Sequence, residues 1–326
     1  MTIGRAIRIH ETGGPEVLRL EEMEFGEPGP GQVRVRHTAI GVNFIDTYHR
    51  TGLYKLALPS GLGVEAAGIV DAVGSDAGGL KPGDRVAYAS AVVGSYADFT
   101  IAPCDRLVPL PDWIDDETAA AMLLRGMTVE YLLNRTHRVA PGETVLVHAA
   151  AGALGILMTQ WAKALGATVI ATVGHSEKIP LAQSNGADHV LVTADPDWPA
   201  RVREITDGAG VPVVYDSVGK ATFQGSLDSL MPRGLMVSFG NASGPVPPLD
   251  LAELNRRGSL FITRPTLFTY IASRKDLVES AAALFEMVHR GTVKPAIALR
   301  LPLADAAEAH RALESRRVTG SIVLKP

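Results

Sequence analysis

Cysteine is nearly absent from this chain, with Cys104 the only one in 326 residues. One thiol cannot close an intrachain disulfide, nor can it build a structural zinc site from several thiolates. An excess of charge of either sign is missing too. The balance of 31 basic against 35 acidic residues leaves a net charge of −4 and a pI near 6.1. There is no long basic run, so nucleic acid and anionic membrane surfaces are poor partners. The opening stretch, Met1 to Glu11, alternates charged and apolar residues without the apolar core of a signal peptide, which points to a cytoplasmic location. The longest nearly uncharged run, Thr144 to Ala162, is broken by Gly152 and Gly155 and contains His148. It begins with β-branched residues and continues with a helical pattern, so it reads as a buried strand, a turn and a helix rather than a membrane span.

That run carries the main signal. The strand Thr144 to Val147 enters the turn Ala150-Ala151-Gly152-Ala153-Leu154-Gly155, and a second strand, Ala167 to Val173, ends in Gly174-His175-Ser176-Glu177-Lys178. The second strand ends about twenty residues past the turn, where a dinucleotide fold meets the adenosine ribose. The turn is AxGxxG, with Ala150 in the first glycine position, so it must tolerate a Cβ there. Gly152 would let backbone approach a pyrophosphate, and Gly155 would let helix pack on strand. The pyrophosphate would sit on the helix N-terminus, near Ala153 and Leu154.

Upstream, short alternating segments separated by turns (Ala6 to Ile9, Val17 to Glu22, Gln32 to Ala39, Gly68 to Val73, Lys81 to Ala87, Tyr96 to Ile101) predict a small irregular β-barrel. From about Gly126 strand and helix alternate. Strands expected at 144–148, 167–173, 189–192, 212–216, 234–239 and 259–263 suit a six-stranded doubly wound sheet. Two amphipathic helices, Lys275 to His289 and Ala304 to Glu314, and a last strand, Ser321 to Leu324, are expected to return to the first domain. The organisation expected is α/β: one domain over 1–126 and 264–326, a nucleotide domain over 127–263 inserted into it, and a ligand cleft between them.

The order of these motifs resembles the medium-chain dehydrogenases/reductases, and among them the zinc-free quinone oxidoreductases of the zeta-crystallin type. The resemblance spans essentially the whole chain. It rests on Gly41-Val42-Asn43-Phe44-Ile45-Asp46-Thr47-Tyr48, Pro59-Ser60-Gly61-Leu62-Gly63-Val64-Glu65-Ala66-Ala67-Gly68, Gly126-Met127-Thr128, the glycine turn, Tyr215-Asp216-Ser217-Val218-Gly219 and Ser238-Phe239-Gly240-Asn241. It implies a GroES-like small β-barrel domain beside a Rossmann domain. Zinc enzymes of the superfamily have cysteine where Asn43 stands and histidine where Val64 stands, so no metal is expected. Glu65 is then expected to be a buried, paired carboxylate.

NADPH is the expected cofactor. No acid stands at Gly174, His175 or Ser176 to repel a 2′-phosphate, Lys178 can pair with one and Ser176 can donate to it. Thr193 stands where relatives often have a tyrosine near the adenosine phosphate. The resemblance implies that Asn43 and Thr128 line the nicotinamide end, that Ser217, Phe239, Gly240 and Asn241 contact the ribose and pyrophosphate, and that Arg316 reaches the phosphates. Tyr48, Tyr54 and Arg264 are candidates for the acceptor pocket, the tyrosines packing on a quinone and the arginine stabilising an oxyanion. Asp46 is expected to be a paired structural carboxylate, His148 a neutral hydrogen-bonded core residue, and Cys104 a small packing residue.

These readings converge on direct hydride transfer from NADPH to a quinone. Two alternatives stay open at this point: reduction of an activated double bond in an enone or enoyl thioester, and a non-catalytic NADPH-binding role, structural or RNA-associated. A homodimer is expected, joined through the Rossmann domains near Gly258 to Thr263, because an outer strand leaves unpaired backbone donors.

Overall fold

The computed structural model describes residues 1–89 and 93–326. The chain divides into two compact units. One comprises Met1–Arg125, Tyr270–Ala282 and Pro295–Pro326, the other Gly126–Thr269 and Ala283–Lys294. The helix Arg274–His289 therefore contributes to both units, which differs from the expected domain break at residue 264.

The first unit is built on β1 (Thr2–Ile9), β2 (Arg19–Phe25), β3 (Gln32–Val42), helix α1 (Phe44–Thr51), β4 (Ser60–Gly61), β5 (Glu65–Val73), β6 (Arg85–Ala89), β7 (Phe99–Pro103) and β8 (Val108–Pro109). Among the described residues, one sheet has the order β2-β1-β4. In β3, Val33 and Val35 are fully buried, Arg34 between them is buried too, and Arg36 is exposed. Register shifts in its pairing with β5, between Arg34 and Val35 and between His37 and Ala39, bend the strand. The core gathers Val33, Val35, Ile40, Leu62, Val70 and Val86 with Ile322 and Leu324 from the C-terminal end. Each such side chain stabilises the fold by roughly 1.5–3 kcal/mol relative to exposure.

The second unit begins in helix α2 (Asp116–Tyr131) and continues through β9 (Thr144–Val147), α3 (Ala153–Ala164), β10 (Thr168–Val173), β11 (His189–Val192), β12 (Val211–Asp216), β13 (Leu230–Ser238) and β14 (Phe261–Thr263). Its six strands run in the order β11-β10-β9-β12-β13-β14, and all pairings are parallel. This is the doubly wound arrangement expected, with the strand order reversing between β9 and β12. Val145, Leu146 and Val147 are buried together, as a central parallel strand covered on both faces requires. Among the described residues, no helix is long and apolar enough to cross a membrane.

The chain returns to the first unit through β15 (Ile297–Pro302), the helix Ala306–Glu314 and β16 (Ser321–Lys325). There β16 pairs antiparallel with β3, completing a second sheet of order β15-β16-β3-β5-β6-β8, with β7 also on β3. The strand β15 has no counterpart in the sequence reading.

Candidate functional site: strand ends and a buried polar chain

The glycine turn lies at the carboxyl end of β9, beside the strand-order reversal. The left-handed residue of the turn is Ala149, with φ of 53°. Ala150, in the first glycine position, is not left-handed and donates its N–H to Thr172 O at 3.0 Å. A Cβ in left-handed backbone costs roughly 1–2 kcal/mol, so the turn carries strain at Ala149. Gly152 is the N-cap of α3 and offers no side-chain cap. The first-turn N–H groups of Ala153, Leu154 and Gly155 have no acceptor within the helix, and they form the kind of electropositive end that favours an anion. A Cβ on Gly155 would stand 2.3 Å from Ala149 O and 2.6 Å from Ala150 Cα, so only glycine lets helix and turn meet.

A buried polar set holds the floor of this turn. His148, 2 % exposed, faces Thr172 Oγ1 through Nδ1 at 2.7 Å and Ser226 Oγ through Nε2 at 2.9 Å. Ser226 donates to Asp216 Oδ2 at 2.9 Å, which makes its oxygen an acceptor for His148 Nε2–H. Burial lowers the pKa of His148, consistent with the neutral core histidine expected. Asp216 Oδ1 accepts from the N–H groups of Val218 and Gly219 at 2.7 and 2.9 Å, bending the chain sharply after β12.

The neighbouring strand ends carry the remaining expected residues of this unit. Gly174 is exposed at the end of β10, and a Cβ there would meet nothing within 4 Å. Ser176 to Lys178 form one 3-10 turn with His175 as its N-cap, Ser176 exposed and Lys178 half-buried. Thr193 donates backbone N–H to Val173 O at 2.9 Å, beside the same strand end. After β13, Phe239 N–H donates to Asp216 O at 2.9 Å, and a Cβ on Gly240 would lie 2.2 Å from Ser217 O. Arg264 lies with this group: Nη1 donates to Ser238 O at 2.8 Å. With the Asn241 amide oriented to satisfy both neighbours, its oxygen accepts from Arg264 Nη2 and its nitrogen donates to Gly240 O, each at 3.0 Å. Arg264 thus clamps the segment that carries Phe239, Gly240 and Asn241. Thr128, 7 % exposed, belongs to the same unit on α2.

In the first unit Asn43 caps α1 in a reciprocal capping box, its N–H donating to Asp46 Oδ2 at 2.8 Å. The Asn43 side chain donates Nδ2–H to Glu65 Oε2 at 2.8 Å, while Glu65 Oε1 accepts from Leu124 N–H at 2.7 Å. Arg125 Nη1 stands 3.9 Å from Glu65. Glu65 is therefore the buried, paired carboxylate expected. Burial raises its pKa, and Arg125 and Asn43 act against that rise. Gly41 makes the arrangement possible, since a Cβ there would be 2.2 Å from Ala120 O and 2.5 Å from Glu65 Oε2. Tyr48 and Tyr54 pack edge to face with centroids 5.3 Å apart, and Tyr54 N–H donates to Tyr48 O at 3.0 Å. Arg316 follows the helix Ala306–Glu314, exposed and with φ of 57°.

Asp46 differs from its expected role. It is fully buried, yet its partners are the Asn43 backbone N–H and the Tyr96 hydroxyl (2.9 Å), both neutral, and among the described residues its Oδ1 has no hydrogen-bond partner. Burial pushes its pKa up to about 7, against the pull of Asn43 and Tyr96. Sequence reasoning also missed Tyr96, Arg50, Arg125 and His310, whose contacts here join residues far apart in the chain.

Two family models match: the alcohol dehydrogenase GroES-like domain over residues 29–112 and the zinc-binding dehydrogenase over residues 153–286. A quinone oxidoreductase of Pseudomonas aeruginosa is 50% identical over 325 residues, covering 99% of this chain and 100% of the relative. The chain belongs to the quinone oxidoreductases of the medium-chain dehydrogenase/reductase superfamily. Within that family, a 2-haloacrylate reductase of Burkholderia is 46% identical over 98% of each chain. The crystal structure of Escherichia coli quinone oxidoreductase complexed with NADPH matches with a TM-score of 0.97 at 48% identity, covering 99% of this chain and 100% of that one.

One matched model is named for zinc, and the donors present in this quinone oxidoreductase do not fit that ion. Asn43 offers a neutral amide already committed to Glu65, and Val64 is a fully buried aliphatic. Among the described residues, no group of three or more His, Cys, Asp or Glu side chains is placed to hold a metal. A dinucleotide does fit. The uncapped start of α3, the open backbone of Gly174 and the close-packed Gly240 segment form the cradle such a ligand requires.

Proposed function

We propose that this chain is an NADPH-dependent quinone oxidoreductase that reduces its acceptor by direct hydride transfer without zinc. The observation that carries the reading is the joint presence of an uncapped α3 N-terminus behind Gly152 and a Lys178 terminus free of acids at Gly174, His175 and Ser176. Its 50% identical relative is named a quinone oxidoreductase, and a 48% identical one was crystallised with NADPH.

In this reading the α3 N–H groups of Ala153 and Leu154 hold the pyrophosphate, Ser176 and Lys178 hold the 2′-phosphate, and Ser217, Phe239, Gly240 and Asn241 hold the ribose end. Arg316 is a further candidate contact for a phosphate. The bound nicotinamide supplies the hydride. Asn43 orients that ring with a carboxamide whose rotamer Glu65 fixes. Tyr48 and Tyr54 pack on the acceptor and offer hydroxyls to its carbonyl oxygen, where charge develops. Water completes protonation, because a quinone spreads the new charge over a conjugated system. Arg264 acts by holding the Phe239–Asn241 segment rather than by touching the acceptor.

A dimer is part of the proposal. The strand β14 is the outer strand of the six-stranded sheet, and Phe261 and Ile262 are 61% and 38% exposed. Unpaired backbone beside exposed apolar side chains suits pairing with the same strand of a second copy.

The test is a substrate panel in which NADPH is mixed with 1,4-benzoquinone, an enone and a 2-haloacrylate. Faster oxidation by the quinone supports the proposal. A preference for the activated alkenes replaces it with the 2-haloacrylate type of reaction. Binding of NADPH with no oxidation by any acceptor leaves a non-catalytic role.

A further inference from the structure

A buried chain of hydrogen bonds runs from the C-terminal helix to Asn43, and the donors fix its direction. Arg50, 2 % exposed, pairs with Glu314 at 2.7 Å and presents Nη1 to His310 Nδ1 at 3.1 Å. A guanidinium has only donors, so Nδ1 accepts and the imidazole proton sits on Nε2. That proton faces the Tyr96 oxygen at 3.2 Å, which turns the Tyr96 hydroxyl proton toward Asp46 Oδ2 at 2.9 Å. The same Oδ2 accepts from Asn43 N–H at 2.8 Å. Edge-to-face packing of Tyr96 on His310, with centroids 5.8 Å apart and an interplanar angle of 88°, holds the two rings. Tyr96 is 1 % exposed and His310 and Asp46 are fully buried, so water does not compete with these bonds.

The chain joins two places that the proposed function needs. One end is Asn43, at the N-cap of α1. The other is the helix that ends just before Arg316. We propose that Tyr96 and His310 are positioning residues for the nicotinamide end of the cofactor site, acting on Asn43 through Asp46. This rests on the reading of Asn43 as a nicotinamide contact. The Oδ1 oxygen of Asp46, buried and without a partner among the described residues, leaves that carboxyl held from one side only. Among the described residues, removing the Tyr96 hydroxyl therefore leaves the Asn43 backbone N–H as its one remaining direct hydrogen-bond partner. The other charged groups around Asp46 are Glu65 on β5, which opposes its ionisation, and Arg125 on α2, which favours it. His310 stays neutral, its pKa pushed down to about 3 by burial and by Arg50.

The experiment compares binding of NADPH with binding of adenosine 2′,5′-bisphosphate, which has no nicotinamide, in the wild type, Tyr96→Phe, His310→Leu and His310→Gln, with melting curves alongside. The inference predicts that Tyr96→Phe and His310→Leu weaken NADPH on the order of tenfold, the size of one buried hydrogen bond. Their affinity for the bisphosphate stays at the wild-type value. Gln keeps an acceptor for Arg50 and a donor for Tyr96, so His310→Gln recovers most of the NADPH affinity. If both ligands weaken together, or neither weakens while the melting temperature falls, the chain is structural only and the inference is overturned. A wild type that binds NADPH no better than the bisphosphate removes the nicotinamide contact itself and overturns the cofactor reading with it. A wild type that binds NADPH but reduces no quinone removes only the proposed reaction and leaves this comparison readable.

Discussion

The Asn43 side-chain amide donates to Glu65 Oε2 at 2.8 Å inside the first unit, where Glu65 is fully buried. The pair holds in place, by an ordinary hydrogen bond, the amide proposed to orient the nicotinamide ring.

Asn43→Ala removes a donor from a buried carboxylate and leaves Oε2 without its closest partner. We expect a loss of about 1.5–3 kcal/mol in stability, measured by chemical unfolding. A variant as stable as the wild type would show that Arg125, at 3.9 Å, suffices for Glu65.

Prolonged treatment with a strong chelator is expected to leave turnover unchanged, because Asn43 and Val64 cannot ligate zinc. Loss of activity restored by added zinc would contradict that assignment.

Ala149 adopts φ of 53°, and Ala149→Gly is expected to relieve that strain at the cost of a more flexible unfolded chain. The net change should be stabilising by up to about 1 kcal/mol, read from the denaturation midpoint. Gly155→Ala goes the other way. Its new Cβ would press on Ala149 O, lowering stability and moving α3 off its strand, with NADPH affinity falling in calorimetry.

His37 is buried, its Nδ1 2.7 Å from Ala97 O and its Nε2 accepting from Tyr88 at 3.0 Å, and burial pushes its pKa down to about 4. Because the depressed group binds its proton more readily when unfolded, its stability contribution is complete above the ordinary value of 6.5. It is lost as pH falls toward about 4, amounting to about 3 kcal/mol. His37→Gln should flatten that part of the acid-unfolding curve, measured by melting temperature against pH. An unchanged slope would count against it.

Asp46 behaves with the opposite sign. Its raised pKa, about 7 against 3.8, means that the folded state favours the protonated acid, so stability falls as pH rises between those values. The cost is about 4 kcal/mol at most, and Asp46→Asn should be progressively less destabilising from about pH 4 to about pH 7, measured by melting temperature against pH.

The second unit was legible in the sequence because parallel strands buried on both faces read as apolar runs at regular spacing, as in Val145 to Val147 and Val169 to Val173. The β15 strand was not. Its residues alternate between half-buried and exposed, Pro302 ends it, and β16 is its only neighbour in the sheet order. Residues at the strand ends were recoverable from motif spacing. The Asp46–Tyr96–His310–Arg50 chain was not, since its members are separated by 50, 214 and 260 positions and no local pattern joins them. Arg264 was a candidate because an arginine can stabilise an oxyanion, whereas its contacts with Ser238 and Asn241 depend on the loop from the neighbouring strand.

The central claim is tested most directly by the rate of quinone-dependent oxidation of NADPH and of NADH, each followed by absorbance of the reduced nicotinamide, in the wild type and in Lys178→Glu. The account predicts rapid oxidation of NADPH by 1,4-benzoquinone, little of NADH, and at least a roughly tenfold loss of kcat/KM for NADPH alone in the variant. Equal use of both cofactors unaffected by Lys178→Glu would contradict the cofactor assignment, and no quinone-dependent oxidation of either would contradict the activity.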